Sequence, residues 1–205
     1  MPRIRAESIV EHKQMTRRQI LEAAQELIEE VGSADISLGE VATAIGIGRT
    51  TLYEYFADRD DIIASLVEEE LPGVVEAIIS GVPNGLPAPE HLAEVAERTV
   101  RFVATDPVLG LILHREVGRL GPSAQQRIRV AHADLVAEVA SIYARGVADG
   151  SLRPIPVDLA GRFIQDTVMS AARAVIAASH PETRLPEIVA AMRLFLLGGL
   201  RSLSP

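Results

Sequence analysis

The stretch Ser37–Ile62, SLGEVATAIGIGRTTLYEYFADRDDI, holds two short helices around a glycine turn and opens another helix directly after them. Ser37 and Glu40 have the spacing of a capping box, in which the serine accepts from the amide three residues on and the glutamate reaches back to the serine amide. Ile36 and Val41 flank that cap at the positions of a hydrophobic staple. The spacing predicts a helix over Leu38–Ile45, a left-handed stop at Gly46, and a following helix over Arg49–Phe56. Val41, Ala42, Ile47, Leu52 and Phe56 then form a small core that holds the two helices at a steep angle, the helix-turn-helix arrangement.

The same grammar recurs on both sides of this stretch. Thr16 with Gln19 reads as a second capping box, stapled by Met15 and Ile20, and opens a first helix that runs through Val31 to a stop at Gly32. Its apolar face is Ile20, Ala24, Leu27, Ile28 and Val31. Asp58 with Asp61 caps a fourth helix from Arg59 towards Leu71, and Pro72-Gly73 is expected to bend or break it. In a helix-turn-helix unit the start of the second helix meets base edges, while the first crosses the DNA backbone.

Residues 16–62 resemble the DNA-binding domain of the tetracycline-repressor (TetR) family. The resemblance is carried by Val41-Ala42, Gly46-Ile47, Thr51-Leu52-Tyr53, Tyr55-Phe56, and Arg59 ahead of Ile62. This chain departs from the family pattern at Ile45, usually alanine, at Gly48, usually serine, and at Arg59, commonly lysine. The first two affect packing and capping; the third keeps the charge. The rest of the chain is similar to the family only in length and helical character.

Composition fits that likeness. The chain has 205 residues and 48% hydrophobic content, enough for a sizeable core in one or two domains. It has no cysteine, which excludes disulfides and thiolate metal sites and agrees with a reducing cytoplasm. The start of the chain has no apolar run of a signal peptide, and no stretch approaches the ~18 apolar residues of a membrane span. A net charge of -8 is unusual for a DNA binder. Arg3, Arg5, Lys13, Arg17 and Arg18 nevertheless gather near the start, while Glu22, Glu26, Glu29 and Glu30 lie further along the first helix.

Beyond Asn84–Pro89, a linker by composition, helical segments are expected at 90–104, 107–119, 123–148, 157–179 and 186–203. The five histidines, His12, His91, His114, His132 and His180, have no short metal-ligand spacing. No nucleophile elbow, Walker loop or HExxH run occurs. No catalytic residue, metal or cofactor is therefore expected, and the protein is not expected to be an enzyme.

The fold expected is all-α and two-domain: residues 1–58 form the helix-turn-helix domain with a basic N-terminal arm, and residues 59–205 form a helical domain. The resemblance implies that the second domain binds a small effector and dimerises. It implies a cytoplasmic repressor that binds a palindromic operator as a homodimer and is released by its effector. On this reading Arg49, Thr50, Thr51 and Tyr55 read bases; Thr16, Ser37, Tyr53 and Arg59 hold phosphate; Arg3 and Arg5 reach the backbone or minor groove. Tyr53 and Tyr55 cannot both face inward, so at least one faces out. Phe102, His114, Tyr143, Gln165, Asp166 and Met169 supply apolar bulk with polar handles for an effector. The last helix is apolar around more than one face and has no later segment to cover it. Phe163, Val168, Ala172, Val175, Met192, Phe195, Leu196 and Gly199 are thus expected at a four-helix dimer interface. Two other readings stay open: a DNA-anchored enzyme or interaction module, and a constitutive architectural factor without ligand.

Overall fold

The computed structural model describes residues 2–202, and within them the side chains of 9–106 and 108–202. Ten α-helices account for most of it: α1 (Pro2–Val31), α2 (Leu38–Ala44), α3 (Arg49–Leu52), α4 (Arg59–Ser80), α5 (Ala88–Thr105), α6 (Pro107–Leu111), α7 (Pro122–Ala131), α8 (Ala133–Ala148), α9 (Val157–Ile176) and α10 (Pro181–Leu200). A π-helical turn, Ile112–Glu116, and a 3-10 turn, Val117–Arg119, continue α6. Among the described residues there is no β-strand, only an isolated bridge between Leu152 and Arg201. None of the helices described is long and apolar enough to cross a membrane.

The expected caps of α2 form. Glu40 N donates to Ser37 Oγ at 3.2 Å and Ser37 N donates to Glu40 Oε2 at 2.7 Å. That hydrogen bonding holds the Glu40 carboxyl below its ordinary range. At the other end Gly46, with φ of 70°, donates to the Thr43 carbonyl, and Ile47 donates to that of Ala42. This is the paired bonding of a Schellman stop, which needs a residue that tolerates the left-handed region. Val41, Ala42, Leu52 and Phe56 are buried and Ile47 packs against them, as expected.

α1 departs from expectation. It runs unbroken from Pro2, so Thr16 caps nothing: its hydroxyl donates to the His12 carbonyl one turn back, at 2.9 Å. Met15 is exposed while Ile20 is buried, so the staple is absent too. Residues 3–15 contain neither glycine nor proline, and a mid-helix threonine satisfies its hydroxyl locally. Of the expected apolar face, Ile20, Ala24 and Ile28 are buried and Leu27 is half-buried, but Val31 is exposed where the helix ends.

α4 also outlasts its predicted stop. Pro72 lies inside it, and an internal proline costs about 3 kcal/mol. Leu71, Val75 and Ile78 around it are buried, each worth roughly 1.5–3 kcal/mol, so packing outweighs the break. The predicted helix 123–148 instead bends at His132, where α7 gives way to α8 without glycine or proline to signal it. α10 begins at Pro181, earlier than the expected Pro186.

α5 is central to the helical domain, packing against α8, α9 and α10, while α4 packs along α7. The core is continuous from α1 and α2 through α4 to α10. Gly146 on α8 is one of its tightest points. A Cβ there would lie 2.5 Å from Leu152 Cδ1 and 2.8 Å from Ala88 Cβ.

Candidate nucleic-acid interface and the helical domain behind it

α3 and the turn after it present the chemistry expected of a base-reading surface. Arg49, Thr50, Thr51 and Tyr53 are exposed together, with Tyr53 at 48% exposure, whereas Leu52 and Phe56 between them are buried. Arg49 lies along Tyr53: its guanidinium donates to the phenol oxygen at 3.2 Å and sits 5.7 Å from the ring centroid. The helix is shorter than expected, ending at Leu52, and Tyr53–Tyr55 complete it as a turn. Tyr53 is the tyrosine that faces out. Tyr55 is half-buried against the core. Ser37 is exposed at the start of α2, its hydroxyl accepting from Glu40.

The other expected phosphate contacts have different roles. Thr16 is buried within α1, which removes the free helix end that would have held an anion. Arg59 is turned inward: its Nε donates to the Ala34 carbonyl at 2.6 Å, and its guanidinium approaches Glu116 at 3.5 Å. Arg17, counted with the basic cluster, lies 4.6 Å over the Phe56 ring and pairs with Glu69 at 3.3 Å. Lys13 and Arg18 are exposed. The side chains of Arg3 and Arg5 lie outside the described residues.

α4, which follows directly on the helix-turn-helix, is tied to α7 by polar contacts that no local pattern announces. Arg127 of α7 bonds Asp61 and Glu68 of α4, each at 2.6 Å, and Ser65 at 2.8 Å. Its guanidinium holds the Glu68 carboxyl below the ordinary range, and the two carboxylates raise the arginine's own pKa. Gly121 N donates to Asp60 at 2.7 Å. Because these pairs span residues some sixty positions apart, spacing gives no hint of them.

The expected effector residues do not converge. Tyr143 is buried and fully engaged, its hydroxyl donating to the Arg153 carbonyl at 2.8 Å and accepting from Ile155 N at 2.8 Å, so it straps the α8–α9 loop instead of offering a handle. Gln165 and Asp166 are exposed, while Phe102, His114 and Met169 are half-buried on three different elements. Of the six, only Asp166 lines the larger cavity, an open groove of ≈ 810 Å³ between α9 and α10. A second cavity of ≈ 230 Å³ sits where the end of α1 meets α5, α6 and α9, lined by Ile28, Val103, Leu111 and Val175 among others.

The expected dimer set divides in two. Ala172 and Val175 are sealed in the chain's own core, Met192 and Leu196 are buried at the floor of the groove, and Val168 packs against the core. They hold α9 and α10 to the rest of the domain. Phe163, at 55% exposure, Phe195, at 73%, and Gly199 line the open groove.

His114 gives the domain a pH dependence. Burial first, then the charges of Arg173 and His132, push its pKa down from 6.5 to about 4, and burial lowers that of His132 as well. Between about 4 and 6.5 the folded chain binds fewer protons than the unfolded one. Stability from this source therefore rises with pH across that window and is lost as pH falls through it. Thermal unfolding at pH 7 and pH 5 should show a lower Tm at pH 5, with a smaller drop in His114→Gln. An identical drop in both proteins would remove His114 from the acid response.

Comparison with known proteins agrees with this architecture. The profile of "Bacterial regulatory proteins, tetR family" matches residues 20–66, and that of "Tetracyclin repressor-like, C-terminal domain" matches residues 85–173. The fatty acid metabolism regulator protein of Bacillus subtilis (strain 168) is 26% identical over 151 residues, which are 73% of this chain and 78% of the relative. The transcriptional regulator FadR from Bacillus subtilis, solved with stearoyl-CoA, superposes with a TM-score of 0.74 at 22% identity, covering 89% of this chain and 98% of that one. AibR, solved with isovaleryl coenzyme A and operator DNA, gives 0.68 at 18% identity, over 89% and 98% of the two chains. At these identities the superpositions establish the fold. With a helix-turn-helix presenting an exposed arginine–tyrosine face, a helical domain locked behind it, and both halves matching one family's profiles, this chain belongs to the TetR family of transcriptional regulators.

Proposed function

We propose that the protein is a homodimeric repressor that binds a palindromic operator and releases it on binding an acyl-CoA thioester. The observation that carries the DNA half is the exposed face Arg49, Thr50, Thr51 and Tyr53, held by a capped and Schellman-stopped α2. Arg49 is the principal reader, suited to guanine O6 and N7. Tyr53, beside it, and Ser37, at the start of α2, hold phosphate, with Lys13 and Arg18 adding charge. Residues 1–58 are the DNA-binding unit and 59–205 the effector-binding and dimerising unit. The bond from Arg59 to the Ala34 carbonyl crosses that boundary.

Support for the effector class comes from the relatives: one regulates fatty acid metabolism, and two structural neighbours were solved with acyl-CoA molecules. The regulator's action is a population shift. An effector that binds better to a conformation with misplaced recognition helices lowers operator affinity by that difference. Titrating stearoyl-CoA and isovaleryl-CoA into the protein bound to a fluorescent operator tests the reading. Release by one of them, and not by free coenzyme A, is expected; an operator complex indifferent to every acyl-CoA would favour a constitutive DNA-binding factor.

Arg49→Ala is expected to keep the fold and to cost roughly 1–3 kcal/mol of discrimination at one symmetry-related pair of base positions. Binding measured across a set of single-base operator variants checks it. An unaltered preference would exclude Arg49 as a reader.

A further inference from the structure

Three helices end around the smaller cavity. Ile28 and Glu29 in the last turn of α1, Val103 near the end of α5 and Val175 near the end of α9 line it, with Val108 of α6 and Pro181 at the start of α10. Ile28, Val103, Val108 and Val175 are buried, whereas Glu29 is exposed. The space of ≈ 230 Å³ is therefore apolar inside, with Glu29 at its mouth. Folded interiors leave few voids larger than a water, and an apolar void gives water too few of the polar partners it needs.

Volume bounds the occupant. An apolar cavity of about 150 Å³ holds benzene. A cavity of ≈ 230 Å³ takes a ring with a short chain and is far too small for an acyl-CoA thioester. It is separate from the effector reading above and does not depend on it.

Charge selects the end group. The last carbonyls of a helix have no intrahelical partner and together carry roughly half a negative charge. A lysine or arginine in the last turn offsets that charge, but neither α1 nor α5 has one. α9 has Arg173 in its last turn, and Arg173 does not line the cavity. Two helices also begin here, and each positive end is already answered by an acid. Asp106 caps α6, accepting from Leu109 N at 2.9 Å, and Glu182 is in the first turn of α10. A negative surplus remains, made by Glu29 and the ends of α1 and α5. It repels a carboxylate or a phosphate and attracts an ammonium group.

We propose that this cavity is a second ligand site, taking a small lipophilic amine in its protonated form. The apolar body fills the space between Ile28, Val103, Val108 and Val175, and the ammonium group meets Glu29 and the free carbonyls at the mouth. Because Ile28 and Glu29 belong to the DNA-binding unit and the other walls to the helical unit, the occupant touches both at once.

The test uses the full-length protein and three probes of one shape: 3-phenylpropylamine, 3-phenylpropan-1-ol and 3-phenylpropanoate. At pH 7 the first is a cation, the second neutral and the third an anion. Calorimetry should show one amine bound per chain, about tenfold tighter than the alcohol, with the carboxylate weakest. Glu29→Gln should cost the amine roughly threefold, the scale of an exposed ion pair, and leave the alcohol unchanged. Ala104 and Ile176 also line the cavity, both half-buried. Ala104→Leu fills the space and should abolish binding of amine and alcohol alike; Ile176→Trp serves if that variant misfolds. Equal affinity for amine and alcohol overturns the cation assignment. Wild-type amine affinity in a folded cavity-filling variant overturns the location, and a wild-type protein that takes up none of the three probes overturns the site itself.

Discussion

Phe163→Glu combined with Phe195→Glu is expected to yield a monomer in sedimentation and to weaken operator binding by roughly 10²–10⁴-fold, the loss typical when two linked sites no longer bind together. Both rings lie on the groove between α9 and α10 and remain exposed in the single chain. Around them the groove is lined by Ser170, Ala171, Ala174, Ala191 and Gly199, small residues that let a facing helix approach closely. Covering a phenylalanine is worth roughly 1.5–3 kcal/mol, and a two-fold axis covers both copies of each ring, four in all. Four glutamates in the same place meet like charge and lose that burial. Val168 is unsuitable for this test because it packs against the chain's own core, where a charge would unfold the domain. A double variant that still sediments as a dimer would put the interface elsewhere.

Phe56→Ala is expected to lower Tm by roughly 6–20 °C and to abolish operator binding. Phe56 is 1% exposed and anchors the core between α1, α3 and α4. Removing a buried phenylalanine side chain costs about 3–5 kcal/mol, and each kcal/mol shifts Tm by roughly 2–4 °C in a chain of this size. The ring also carries the Arg17 guanidinium, which pairs with Glu69 of α4, so its loss removes that stacking as well as opening a cavity. Differential scanning calorimetry reads the stability and anisotropy the binding. A Tm within ~3 °C of wild type would mean that the core around Phe56 collapses without cost.

The helix-turn-helix was legible because its determinants are local. Ser37 and Glu40 stand three residues apart, and Gly46 supplies the left-handed stop that the turn requires. Where a competing local interaction or tertiary packing decided, the sequence misled. Thr16 has the spacing of a cap yet bonds its own helix, and Pro72 sits inside a helix because Leu71, Val75 and Ile78 are buried around it. The apolar surplus of α9 and α10 was visible, but composition did not say which face each residue takes. Phe195 and Met192 are three positions apart, and one is exposed while the other is buried. Residue type alone points to Tyr143 and His114 alike as effector contacts, yet the Tyr143 hydroxyl is spent on the α8–α9 loop while the His114 Nδ1 is unpaired. The ties from Arg59 and Arg127 join residues 57 and 66 positions apart, beyond any spacing rule.

Two copies of the α3 face are expected to read DNA together. Selection of bound sequences from a random double-stranded library by the full-length protein addresses it most directly. An inverted repeat is expected, its half-sites about one helical turn, 34–36 Å, or a multiple of it apart, with a guanine in each half lost from the consensus in Arg49→Ala. Enrichment of a single unrepeated motif, or none above the starting library, would contradict it.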